Sequence, residues 1–72
     1  MKIGTLTIVG VGLIGGSIGL AARRYGLCDR ICGVGWRQTT LDQARALGAI
    51  DEGYLDLAGG VRQAEVVVFC TP

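Results

Sequence analysis

Six residues near the start of the chain, Gly10-Val-Gly12-Leu-Ile-Gly15, constrain its fold more than any others. They follow directly on a short apolar run, Thr5 to Val9 (TLTIV), which suits a strand buried on both faces of a parallel sheet. Beyond them, Ile14, Ile18, Ala21, Ala22 and Tyr25 recur at helical spacing from about Leu13 to Tyr25, and Gly26 is placed as a left-handed C-terminal cap. A strand, a tight turn and a helix are therefore expected. Inside that helix Gly15, Gly16 and Gly19 cost together roughly 3 kcal/mol relative to alanine, about 1 kcal/mol apiece, so tertiary contact has to compensate. Gly15 and Gly19 stand four apart on one face, which predicts a helix pressed closely onto the sheet, its first turn left bare for a ligand.

The rest of the chain continues the alternation. Arg30 to Val34 (RICGV) reads as a second strand, and Thr40-Leu-Asp-Gln43 has the capping-box pattern that opens a helix. Leu41, Ala44 and Leu47 supply that helix's apolar stripe, and Gly48 closes it. Ala49 to Leu57 is ambiguous, with a short edge strand near Tyr54, and a weak helical turn covers Leu57 to Gln63 despite Gly59-Gly60. Val66 to Cys70 (VVVFC) is the clearest strand, stopped by Thr71-Pro72. This order predicts an α/β fold with a doubly wound parallel sheet of spatial order 3-2-1-4, truncated after the fourth strand. The fourth strand then offers an open, continuously apolar edge, a hazard in a free-standing domain, so these 72 residues are expected to be part of a longer polypeptide.

Composition narrows the function classes. A chain of 72 residues is one domain at most and buries only about 60% of the surface that its unfolded form exposes. Half the residues are hydrophobic, 18% are charged and the net charge is +1, too apolar for a disordered tail and too neutral to attract nucleic acid. Three cysteines, with no CxxC and no histidine, furnish neither a disulfide framework nor a zinc site. Read as reduced, partly buried thiols they imply a cytoplasmic protein, although a Cys28–Cys32 pair stays open. Ile3 to Ala22 carries no charge and is about long enough to cross a bilayer. Its six glycines and its β-branched first half weigh against a membrane span.

The glycine motif carries the chemistry. Gly10 permits the tight turn, Gly12 lets the backbone approach a pyrophosphate, and Gly15 packs helix to strand. Free amides at the helix N-terminus, at Leu13 and Ile14, then meet the anion. The competing reading is a packing turn without a ligand, less favoured because strand, helix and second strand all stand in place. An NAD-preferring dinucleotide fold usually carries an acid at the end of its second strand, where this chain has Gly35. No acid stands between Arg30 and Leu41. Arg37 can pair with a 2′-phosphate, Thr40 can donate to it, and Trp36 can lie against the adenine. NADP is therefore favoured and NAD stays possible, the plainer alternative being a solvated arginine and a helix cap. Cys70, Thr71 and Pro72, at the carboxyl edge of the sheet, either border the cofactor or only stop the strand.

Three segments, VGVGLIGGSIGLAAR (9 to 23), LGAIDEGYLDL (47 to 57) and VVVFCTP (66 to 72), resemble the N-terminal region of prephenate and arogenate dehydrogenases. Gly35-Trp-Arg-Gln-Thr-Thr40 is also similar to the loop of the NADP-using arogenate dehydrogenases. It departs in that its arginine stands one place later, with tryptophan where those members carry arginine. The resemblance implies a partial Rossmann-type domain and, in tyrosine biosynthesis, oxidative decarboxylation of prephenate or arogenate with hydride passing to the nicotinamide. It implies too that the remainder of the dinucleotide domain and a helical catalytic and dimerisation domain lie outside residues 1–72, making a homodimer. The family's histidine and arginine act on the substrate, and this chain has no histidine, so no catalytic residue is assigned within it. Two alternatives share these features: the start of a β-hydroxyacid-type dehydrogenase and a non-catalytic nucleotide-binding module.

Overall fold

A computed structural model describes residues 2–70. Four strands, β1 (Ile3–Val9), β2 (Cys28–Val34), β3 (Glu52–Tyr54) and β4 (Val66–Phe69), alternate with three helices, α1 (Leu13–Arg24), α2 (Gln38–Ala46) and α3 (Leu57–Val61). Every pairing is parallel and the sheet order is β3-β2-β1-β4, a Rossmann-type α/β arrangement as expected. The uncharged stretch that resembled a membrane span is divided between β1, the glycine turn and α1. No helix among the described residues is long and apolar enough to cross a membrane.

Strand alternation assigns the two faces of the sheet. Leu6, Ile8 and Ile31 join Ala22 of α1 and Leu41 and Ala44 of α2 in one buried cluster. Thr7 points the other way, and its fully buried hydroxyl donates to the Gly60 carbonyl of α3 at 2.7 Å. Two helices thus cover one face and a five-residue helix covers the other. The strand β4 is bonded to β1 alone among the described residues, and Val66 and Phe69 are exposed. They are exposed because the sheet is covered only where helices reach it.

Three local expectations are corrected. The helix α1 buries Gly15, Gly19 and Ala22, whereas Ile14 and Tyr25 are exposed. The helix sits so close to its support that only small residues fit on the inner face. The capping box does not form: α2 starts at Gln38 with Arg37 as an extended N-cap and no side-chain cap, which puts Thr40 inside the helix. Gln38 instead bonds Asp42 one turn on, at 2.9 Å. Leu47, expected in the apolar stripe, is the C-cap just past the helix and is exposed. Gly26 and Gly48 do close their helices in the left-handed region, with φ of 62° and 80°.

Candidate functional site

The carboxyl ends of all four strands are tied together by their last backbone bonds. Gly10 donates to the Val34 carbonyl at 2.8 Å, Cys70 to the Val9 carbonyl at 2.8 Å, and Gly35 to the Tyr54 carbonyl at 3.0 Å. Above them α1 rises on one side and α3 lies on the opposite face, so a crevice opens where the strand order reverses.

The turn leading into α1 is built by backbone conformation. Gly10 has φ of 95°, which a side chain would strain, and its carbonyl accepts from the Gly12 amide at 3.0 Å. A β-carbon on Gly15 would stand 2.3 Å from the Gly10 oxygen, so that residue holds helix to turn with no room to spare. Gly12 is the opposite case, since a β-carbon there would meet nothing within 4 Å. No side chain caps α1 and no acid stands in its first turn. The first amides of the helix, which by geometry have no partner within it, therefore face open space in front of a bare glycine. These features fit an approaching pyrophosphate, which is the test that a dinucleotide must pass here.

A cleft of about 520 Å³ extends from this turn to the segment between β2 and α2. It brings together Gly10 and Gly12, Trp36, Arg37 and Thr40, and Cys70. Six of the residues singled out in the sequence thus share one surface. Gly15 lies buried beneath it, Leu13 lines a neighbouring groove, and Ile14 projects outward. Thr71 and Pro72 lie outside the described residues. Among those described, no carboxylate pairs with Arg37, whereas Arg23 and Arg30 hold Asp51 and Glu52. Asp51 is shifted: burial pushes its pKa up, but the Ile31 amide and the Arg23 guanidinium outweigh burial and hold the carboxyl below its ordinary value. That acid is engaged with α1 and β2 and does not line the cleft.

Two features escape a reading of motifs alone. Val11, the variable residue between two motif glycines, is 4% exposed and lines the cleft while belonging to the core. Trp36 also borders a second, apolar cleft of about 520 Å³ with Val9, Val34, Leu55, Leu57 and Phe69. The signal for that cleft was strand parity, since Val9, Val34 and Phe69 fall on the α3 side of the sheet.

No family model matches the chain. Prephenate dehydrogenase of Bacillus subtilis (strain 168) is 37% identical over 68 residues, covering 94% of this chain and 18% of that protein. The crystal structure of Synechocystis arogenate dehydrogenase superposes with a TM-score of 0.85 at 34% identity, over 94% of this chain and 23% of that one. The structure of prephenate dehydrogenase from A. aeolicus, in complex with hydroxyphenyl propionate and NAD+, superposes with a TM-score of 0.91 at 32% identity, over 100% of this chain and 26% of that one. The chain thus spans about a fifth to a quarter of the proteins it matches. In sequence and in fold alike, it matches the N-terminal region of the prephenate and arogenate dehydrogenase family.

Proposed function

We propose that this chain is the NADP-binding N-terminal part of a dehydrogenase that oxidatively decarboxylates prephenate or arogenate in tyrosine biosynthesis. The observation that carries the reading is the cleft joining the uncapped start of α1 to Arg37 and Thr40. The amides of Leu13 and Ile14 hold the pyrophosphate, Arg37 and Thr40 hold the 2′-phosphate, and Trp36 lies against the adenine. Cys70 borders the dinucleotide at the carboxyl edge of the sheet. The bound dinucleotide supplies the hydride acceptor; the residues of this chain bind and orient it. The catalytic histidine lies elsewhere in the protein, and the arginine that holds a substrate carboxylate and the dimer contacts come from a helical domain, in a cytoplasmic homodimer.

NAD is the competing cofactor, favoured by its presence in the A. aeolicus neighbour. Against it stands the absence of any acid between Arg30 and Leu41, which leaves no carboxylate to bind a ribose hydroxyl or to repel a 2′-phosphate. Calorimetric titration of NADP and NAD into the protein and its Arg37→Ala variant decides between them. A preference for NADP of about ten-fold, or roughly 1.4 kcal/mol, that disappears in the variant is the expected result. Equal binding or NAD preference overturns the assignment of the 2′-phosphate site, and absence of binding to the folded protein overturns the dinucleotide reading altogether.

A further inference from the structure

The segment from Gly48 to Asp51 is tied to α2, to β2 and to α1. Its start is fastened to α2, the Gly48 amide donating to the Arg45 carbonyl at 3.0 Å and the Ala49 amide to the Ala44 carbonyl at 2.9 Å. Its end is fastened to β2 in both directions. The Asp51 amide donates to the Ile31 carbonyl at 2.7 Å, and the Asp51 carboxylate accepts from the Ile31 amide at 2.8 Å. Ala49 and Ile50 between these ties are almost fully buried. The segment is thereby a fixed block rather than a free loop.

The helix α1 rests on that block. A β-carbon on Gly19 would stand 2.2 Å from the Ala49 oxygen and 3.1 Å from its carbonyl carbon. Both are backbone atoms of the fastened segment and cannot swing aside. One turn further along, Arg23 clamps the helix to the same block, its Nε donating to the Gly48 carbonyl at 2.5 Å and its Nη2 to the Asp51 carboxylate at 2.8 Å. Between the two helices runs a groove of about 380 Å³, whose lining includes Ala49 at one end and Val11, Gly12 and Thr40 at the other. The last three residues also line the candidate cofactor cleft. The separation between α1 and α2 is therefore set at Gly19 and Ala49 and read out at Gly12 and Thr40.

We infer that Gly19, seated on the Ala49 carbonyl and locked by Arg23, is a positioning residue that fixes the distance between the pyrophosphate amides of α1 and the 2′-phosphate loop before α2. This inference rests on the dinucleotide reading of the cleft. A ligand that spans both halves feels the separation, whereas one that occupies only the Arg37 and Thr40 half does not.

The test compares NADP with adenosine 2′-monophosphate, which carries the 2′-phosphate but no 5′-phosphate, by calorimetry on the protein and its Gly19→Ala and Arg23→Ala variants. Lifting α1 by a fraction of an ångström is expected to weaken NADP roughly ten-fold in Gly19→Ala and about three-fold in Arg23→Ala, since binding groups lose efficiency steeply with misplacement. The monophosphate is expected to keep its affinity in both variants, a pattern that general loss of structure does not produce. Should Gly19→Ala fail to fold, Arg23→Ala, which leaves every glycine in place, decides alone. Unchanged NADP affinity, or equal weakening of both ligands, overturns the inference. A wild-type protein that binds neither ligand overturns the functional reading and the inference with it.

Discussion

The two halves of the cleft are made of different material. The turn from Gly10 to Gly15 is built of backbone, and its glycines divide by what surrounds them: Gly15 is locked against the Gly10 carbonyl, and Gly12 faces open space. The segment from Trp36 to Thr40 is built of side chains that carry little of the packing, with Trp36 and Arg37 exposed. Gly35, just before it, belongs to the first kind, because a β-carbon there would meet Leu41 at 3.2 Å in the fully buried core. The contrast teaches that the site consists of groups the fold requires and groups the fold leaves spare. Only the second kind is free to serve a ligand without a structural cost.

Substitution sharpens or breaks that division. Gly15→Ala is expected to have the largest effect, a loss of about 2 to 3 kcal/mol in urea denaturation, because its β-carbon collides with backbone. Asp51→Asn, which loosens the clamp on α1, is expected to cost at most about 1 kcal/mol near neutral pH, its side chain being about a third exposed. The sign follows from the lowered pKa of Asp51. A depressed carboxyl stabilises the fold above its unfolded value and ceases to do so as pH falls through its folded value. Wild type and variant should therefore converge in stability below about pH 4. Gly12→Ala is expected to leave the ligand-free protein within about 0.5 kcal/mol of wild type while weakening dinucleotide binding. If it destabilises the protein as much as Gly15→Ala does, the division fails. Arg37→Ala should have the smallest effect, leaving the melting temperature unchanged and altering only the choice between the two dinucleotides.

The same division explains what was legible in the sequence. The turn and both helix-closing glycines could be placed because a positive φ or a backbone contact leaves almost no alternative to glycine. The parallel sheet and its order followed from short apolar runs separated by helical spacing. The start of α2 did not follow, because Thr40-Leu-Asp-Gln43 matches a capping box on paper, whereas the extended Arg37 begins the helix earlier without a side-chain cap. The inner face of α1 was half legible. Gly15 and Gly19 pointed to it, but Ile14 and Tyr25 fit the helical period equally well, and periodicity alone cannot tell a face pressed against backbone from one turned to solvent. The apolar cleft beside Trp36 was hidden because it assembles residues from four separate segments of the chain.

The pairing of β4 with β1 bears on the order in which the molecule assembles. It joins residues sixty apart, Leu6 with Val66, whereas β1 meets β2 over a span of twenty-five, Leu6 with Ile31. Closing the longer loop costs more chain entropy, and β4 is held along one edge only among the described residues. The first strand, α1 and β2 are therefore expected to form the nucleus, with β4 docking late and opening first, so that its amides exchange with deuterium faster than those of β1. Cys70 reaches the cleft through that last-formed strand. The glycine turn is thus expected to be finished early in folding, the opposite wall of the cleft closing only as the sheet is completed.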